Sequence, residues 1–196
     1  INGHFKKYWI VSYKLLSLFF DLCESKCKSI ESILSIRNSQ IRAKIQSKLR
    51  LDIYAQLISN KVLSDAEKLF SCPIEPNGKQ FFLSFTEQFL SLYSQIFNEN
   101  VFIIEQSKDF AVIAMKLIAS LNNFASSASQ QNSPYFVVDL KNMPPSLYKS
   151  TPEFLQNSMK IAIDSIQTTS DQIRQSLIQY VSEICIKHLD YIGKMT

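Results

Sequence analysis

A long stretch without Gly or Pro most constrains how this chain can fold. It runs from Phe81 to Ala128, and its large apolar residues recur at alternating steps of three and four. That spacing keeps one apolar stripe on one face of an α-helix, which at this length would span about 70 Å. The stripe comprises Phe85, Phe89, Leu92, Ile96, Ile103, Phe110, Ala114, Leu117, Leu121 and Phe124.

Glycine content points to the same fold class. The chain has only 3 Gly in 196 residues, whereas strands joined by tight turns normally need more. Its apolar fraction of 46% is enough for one substantial core. We therefore expect a single all-α domain over residues 1–196. Three long antiparallel helices should form an elongated coiled-coil bundle, and the bundle should pair as a dimer, because three such helices alone cannot cover stripes of this length.

Breaks in the pattern divide the chain into three predicted helices. The first stripe predicts a helix over about residues 5–70, and a helical hairpin bent near Asn38 stays open as the alternative. The segment 72–78 contains two prolines and a glycine, so it ends this helix and reverses the chain. The second helix is predicted over 80–128, with Asn98–Asn100 as the place for a kink.

The remaining residues predict a long loop and one more helix. Residues 130–151 are predicted as a loop, in which 135–140 has a strand-like composition and Pro144-Pro145 makes an extended turn. Thr151 is suited to cap the next helix and Pro152 to begin it. The last helix is therefore predicted over 152–192.

The sequence lacks the constellations that enzymes need. Neither His4 nor His188 is placed to activate a nucleophile, and a single glycine at 78 cannot build a phosphate-binding loop. Asp164 and Asp171 fit a polar helix surface better than acid–base catalysis. Four residues could in principle surround zinc, but cysteines in an apolar stripe usually act as small hydrophobes; these are Cys23, Cys27, Cys185 and His188. We expect no enzyme activity, no cofactor and no metal.

Localisation follows from the N-terminal run and the cysteines. The apolar run 8–22 spans about 15 residues, contains Lys14 and Asp21, and is too short to cross a bilayer. It also lacks a signal-peptide cleavage site. Four irregularly spaced cysteines indicate a reducing compartment. We expect a cytoplasmic protein with peripheral membrane contact. Because the sequence begins at Ile1 rather than Met, we expect it to be a fragment or to have an incomplete N-terminus.

Positive charge is concentrated in the first half of the chain. Residues 1–100 carry 13 Lys and Arg against 9 Asp and Glu, while residues 101–196 carry 8 of each. The segment RNSQIRAKIQSKLR has no acidic residue, and Ile41, Ile45 and Leu49 form its apolar side. A solvated face explains such a strip, but it also suits anionic lipid headgroups, at about 1 kcal/mol per basic residue. Nucleic acid is disfavoured, because no recognition motif accompanies it. The candidate site residues are Arg37, Arg42, Lys44, Lys48 and Arg50.

Helix number, helix length and the basic segment together resemble the BAR-type domains. Members of that family form crescent homodimers of three long helices per subunit and bind curved anionic membranes through basic residues. The resemblance implies a homodimeric membrane scaffold in trafficking or membrane remodelling. One alternative is a rod-like helical subunit of a vesicle-tethering or scaffold complex that binds proteins and not lipid. Another is a compact bundle, bent at Asn38 and Asn98, that binds a peptide or small ligand.

Overall fold

The fold of the described residues is all-α, as the sequence predicts. The computed structural model describes residues 3–72, 75–76, 81–127 and 134–193, and within these ranges the one β feature is an isolated antiparallel bridge between Pro76 and Leu83. The helices in chain order are α1 (Gly3–Ser25), α2 (Ile30–Arg37), α3 (Gln40–Leu49), α4 (Leu51–Phe70), α5 (Ser84–Ile96), a 3-10 turn (Ile104–Gln106), α6 (Ser107–Ser127), α7 (Pro134–Asn142), α8 (Pro144–Ser150) and α9 (Glu153–Gly193).

The structure corrects the prediction of one continuous helix over 5–70, because this region contains α1, α2, α3 and α4. Two serines account for the starts of α2 and α3. The Ser29 hydroxyl accepts a hydrogen bond from the backbone N–H of Ser32, and the Ser39 hydroxyl accepts one from Arg42, both at 3.2 Å. Serine side chains that cap a helix compete with continuation of the preceding one. The break near Asn38, which the alternative prediction contained, is therefore present. It is one of three breaks between α1 and α4.

The third break lies between α3 and α4, at Arg50. This residue has φ 44° and ψ 55°, the left-handed conformation that commonly ends a helix. The Trp9 indole N–H donates to the Leu49 carbonyl, which lies at the C-terminal end of α3. The bend is thus supported by a side chain from α1, forty residues earlier in the chain.

The predicted helix over 80–128 is also divided. Asn98 builds a turn after α5: its carbonyl accepts from the N–H groups of Val101 and Phe102 at 2.8 Å, and its side-chain oxygen accepts from Asn100 at 2.8 Å. The Tyr54 hydroxyl of α4 donates to the Val101 carbonyl at 2.8 Å. The break allows α5 and α6 to pack against each other and against α4. The predicted stripe itself is confirmed, since all of its residues are buried except Phe124, which is half-buried.

The segment predicted as a loop over 130–151 is helical where the structure describes it, from Pro134 onward. Phe136, Val137 and Leu140 of α7 are buried at helical spacing, so the strand-like composition was misleading. Pro144 and Pro145 form the first turn of α8, where proline is tolerated. Residues 130–133 lie outside the described part.

The predicted last helix corresponds to α9, but Thr151 does not cap it. The Thr151 hydroxyl donates to the Leu147 carbonyl of α8 at 2.8 Å and lies 2.7 Å from the Tyr93 hydroxyl. Helix α9 begins at Glu153. Thr151 therefore ties the end of α8 to α5.

The core lies where α6 and the first half of α9 pack together, surrounded by α4, α5, α7 and α8. Four phenylalanines form an aromatic cluster at one side, with Phe70 stacked on Phe124 at 4.9 Å between centroids. Among the described residues, one helical segment, Ile104–Ser127, is long and apolar enough to cross a membrane, with a mean hydropathy of 1.2. Eight residues of α6 are buried in this core, which accounts for the apolar composition of the segment.

Candidate functional site

The five basic residues of the predicted strip occupy three places. Arg37 ends α2, whereas Arg42, Lys44 and Lys48 lie on α3, and Arg50 follows α3 in the left-handed conformation. They do not share one face of one helix, because the turn at Asn38 separates α2 from α3. All of them nevertheless belong to, or directly follow, the peripheral group of α1, α2 and α3, which we call the N-terminal layer.

A carboxylate from α1 binds two of the five residues. Arg37 donates to Glu24 through Nε, at 3.1 Å from each carboxylate oxygen, and through Nη2 at 2.7 Å. Arg42 donates through Nη1 to Oε1 of the same carboxylate at 2.8 Å, whereas Nη2 of Arg37 donates to Oε2. The Arg42 guanidinium also lies over the Phe20 ring, 4.7 Å from its centroid. Glu24 therefore joins α1, α2 and α3 at one point.

The electrostatics of this cluster follow from those hydrogen bonds. Hydrogen bonds from Arg37 and Arg42, and their positive charges, lower the pKa of Glu24 from 4.5 to about 2. The carboxylate therefore stays ionised even in acid, well below its usual pKa, and it offsets part of the charge of both arginines. No spacing rule predicts this pairing, since Glu24 lies 13 and 18 residues from its partners.

The outer face of α3 carries the exposed lysines. Lys44 and Lys48 are exposed and one helical turn apart, and Ile41 precedes them on the same face. The prediction placed Ile41 on the apolar inner side, but its side chain is 70% exposed. Ile45 and Leu49 are half-buried and make the inner side. An exposed isoleucine thus stands beside two exposed positive charges.

Helix α1 is held against the rest of the molecule by its inner face. The Trp9 and Tyr54 rings meet edge to face with centroids 6.0 Å apart. The Tyr13 hydroxyl donates to the Glu105 carboxylate. Ile10 and Phe20 are buried. Trp9, Tyr13 and Phe20 belong to the apolar stripe that predicts the first helix.

The outer face of α1 is apolar too, which the sequence analysis missed. A second series of large side chains follows steps of three and four, and all of its members are exposed. It lies almost opposite the inner face on the helical wheel, with exposed Lys14 at its edge. We call it the outer α1 face; it comprises Tyr8, Val11, Leu15, Leu18, Phe19 and Leu22. The signal was visible in the sequence as a second stripe offset from the first.

An open cleft connects these surfaces. It has a volume of about 560 Å³ and lies between α1 and the junction of α3 with α4. Tyr8 of the outer α1 face lines one side, and Lys48 of α3 lines the other. The N-terminal end of the outer α1 face therefore adjoins the C-terminal end of the lysine-bearing face of α3 at this cleft.

The other side chains considered for chemistry have structural surroundings. Asp164 accepts a hydrogen bond from the Tyr148 hydroxyl at 2.8 Å, and burial together with this carboxylate raises the pKa of Tyr148 to about 12. Asp171 forms an ion pair with Arg174 at 3.6 Å. Within the described ranges, no three His, Cys, Asp or Glu side chains are grouped as metal ligands. The exposed residues Cys185 and His188 lie in the second half of α9.

Comparison with known proteins found no relative of this chain. No family model, curated protein or solved structure matches the chain.

Proposed function

We propose that this protein is a non-enzymatic helical scaffold that binds anionic membrane surfaces through its N-terminal layer. One observation carries the proposal: the outer α1 face is exposed and adjoins the face of α3 that bears Lys44 and Lys48. This is the activity that the BAR-like resemblance implies, in a peripheral protein of trafficking or membrane remodelling. It rests on surface chemistry and not on a crescent of three long helices.

The physical argument combines two favourable terms. Apolar side chains on a surface helix enter the boundary between headgroups and acyl chains, and the gain grows with the apolar area buried. Lysines beside them attract anionic lipids, at about 1 kcal/mol each near the surface. Arg37 and Arg42 remain in the proposed site, but Glu24 offsets part of their charge. We therefore assign the larger share of the attraction to Lys44 and Lys48.

Sedimentation with vesicles tests the proposal. We expect the protein to pellet with phosphatidylserine-rich vesicles and much less with phosphatidylcholine vesicles. Lys44→Glu combined with Lys48→Glu should reduce the pelleted fraction strongly, by at least about thirtyfold in affinity, because two contributions of about 1 kcal/mol are lost. Leu15→Asp combined with Leu18→Asp should reduce it as well.

A matched control carries the same charge change elsewhere. Lys141 and Lys149 are exposed on α7 and α8, outside the N-terminal layer. Lys141→Glu combined with Lys149→Glu alters the net charge by the same amount and should leave most of the binding intact. Equal loss in both double variants would mean that total charge acts and not this surface, which would contradict the proposal.

A scaffold that binds proteins without lipid is the second candidate, as in a tethering complex. The outer α1 face favours it as well, because an exposed apolar helix face also suits another protein. Wild-type protein that fails to pellet with any anionic vesicle would remove the membrane proposal and leave this one. In both cases we propose that the chain acts as a homodimer, that it binds further protein partners and that it does not bind nucleic acid.

A further inference from the structure

The second half of α9 has an apolar face that nothing in the described structure covers. In the first half, Ile163, Ile166 and Ile173 are buried in the core. Beyond Ile173 the same face continues with Leu177 and Ile184, but every side chain from 174 to 189 is exposed except the half-buried Leu177. We call this surface the distal α9 face; it comprises the half-buried Leu177 and the exposed residues Ile178, Tyr180, Val181, Ile184 and Leu189.

A groove begins where the distal α9 face leaves the core. It has a volume of about 440 Å³ and an almost entirely apolar lining. Val137 and Val138 of α7 form one wall, and Leu177, Ile178 and Val181 of α9 form the other. Its shape and lining suit an apolar helix face. The distal α9 face and the groove are one continuous surface, because they share these three α9 residues.

Charge indicates what occupies this surface. From Arg174 to Gly193 the sequence has two basic and two acidic residues, so this half of the helix is neutral. Two copies can therefore approach without repulsion. The same region offers no attraction to anionic lipid, in contrast to α3. A neutral apolar helix next to an apolar groove has the features of a self-complementary contact around a twofold axis.

We propose that the distal α9 faces of two copies of this chain pair antiparallel, so that the end of each helix fills the groove of the other. A twofold axis near Glu183 places Leu189 of the second copy opposite Leu177, at the groove. It also places His188 of the second copy opposite Ile178. Parallel pairing would leave both grooves empty, because the helix ends would lie side by side and away from α7.

The size of the contact sets its strength. About 20 residues of α9 lie beyond Ile173, which is about 30 Å of helix. Together with α7 we expect on the order of 1,000 Å² to be buried in total, at the lower end of specific interfaces. The dimer should therefore be reversible and depend on concentration. This inference deepens the homodimer of the proposed function, and it is independent of membrane binding because it uses other helices.

Sedimentation equilibrium of the full chain tests the dimer. We expect the wild type to change from monomer to dimer as concentration rises. Val181→Glu combined with Ile184→Glu should hold it as a monomer over the same range. Gln172→Glu combined with Gln175→Glu is the matched control, since it places the same charges, three residues apart, on the opposite side of α9; it should dimerise like the wild type. All four residues except Ile184 are clearly exposed, and Ile184 is 36% exposed, so we expect each variant to fold.

Cysteine cross-linking tests the direction of pairing. With the four native cysteines replaced, His188→Cys together with Ile178→Cys should form a disulfide-linked dimer, whereas His188→Cys alone should not. A dimer linked through position 188 alone would indicate parallel helices and overturn the register. A wild type that stays monomeric at all concentrations, or a dimer unaffected by the Val181 and Ile184 changes, would overturn the interface. Vesicle binding by the monomeric variant would leave the membrane proposal standing.

Discussion

Asp139 is the buried charge on which the position of α7 depends. Its side chain is 1% exposed. One carboxylate oxygen accepts from the backbone N–H of Phe82, and the other accepts from the N–H of Leu83 and the Thr86 hydroxyl, at 2.9 to 3.0 Å. The two N–H donors directly precede α5, and Thr86 lies in its first turn; N–H groups at this end of a helix lack partners within the helix. A negative charge there also interacts favourably with the helix dipole.

We therefore expect Asp139→Ala to lower the free energy of unfolding by about 3 kcal/mol, since three donors lose a charged partner in a buried place. Urea denaturation followed by circular dichroism measures this. Thr86→Val removes one of the three bonds and should cost about 1 kcal/mol. Asp65→Ala, at a surface ion pair with Lys68, should change stability by under about 1 kcal/mol. A cost for Asp139→Ala no larger than that of Asp65→Ala would contradict this role.

Glu24 makes a pH-dependent contribution to the stability of the N-terminal layer. Because its pKa is lowered from 4.5 to about 2 in the folded protein, the contribution is fully present above about pH 4.5 and disappears as pH falls toward 2. Glu24→Gln should therefore be less stable than the wild type at pH 7. The difference should shrink between pH 4.5 and 2 in thermal unfolding. A difference that is constant over this range would exclude the ion pairs as its cause.

The same substitution links this residue to the proposed function. Glu24→Gln releases the charges of Arg37 and Arg42 from their carboxylate partner. If the N-terminal layer meets anionic lipid, we expect tighter binding to phosphatidylserine-rich vesicles at pH 7 in low salt. Weaker binding would mean that the geometry held by Glu24 matters more than the net charge.

Among the elements, α9 joins two environments in one helix. Its first half is covered by α6, α7 and α8, whereas every side chain from 178 to 189 is exposed in the described structure. Most of the stability of a helix in a protein comes from packing of its apolar face against other elements, and the second half of α9 lacks most of that packing. Amide hydrogen exchange should therefore be much faster over 177–189 than over 155–170 in dilute protein. Protection of 177–189 should rise with protein concentration if two copies pair, and Val181→Glu combined with Ile184→Glu should abolish that rise.

Helix α1 also has two apolar faces, and the inner one explains its position. Trp9 contributes a ring contact to Tyr54 and a hydrogen bond to the end of α3. Burial raises the pKa of Tyr54 to about 12, and its hydroxyl donates to the Val101 carbonyl. The inner contacts leave the outer α1 face exposed. An element with both faces apolar needs two surfaces to cover it, and the chain itself provides one.

For the molecule as a whole, we expect salt to weaken vesicle binding through the N-terminal layer but not dimerisation through the distal α9 face. Raising the salt from about 0.1 M to about 1 M shortens the Debye length from about 10 Å to about 3 Å. Vesicle binding of the wild type should fall steeply over this range. The residual binding of Lys44→Glu combined with Lys48→Glu should change little, because it depends on the outer α1 face. Dimerisation through α9 should not weaken with salt. Binding that rises with salt would contradict the proposal.

Local periodicity was sufficient to predict the helical class, the buried stripe within 81–128 and the extent of α9. Each of these depends on side chains within a few turns, where spacing of three and four determines which face is apolar. The breaks between helices are harder to predict from the sequence. Ser29, Ser39 and Asn98 are weak breakers, and a helix can run through such residues when its packing favours it. The apolar pattern crosses all three nearly in phase.

Contacts between residues far apart in the chain account for the rest. Trp9 supports the bend at Arg50, and Asp139 secures a helix that composition had suggested was a loop. Glu24 offsets two charges of the predicted strip, and no spacing rule reveals a partner 18 residues away. The packing of the helices determines which of the two apolar faces of α1 is covered. It also determines where along α9 the core ends. A stripe in the sequence identifies a surface that avoids water, whereas packing determines whether this chain or another surface covers it.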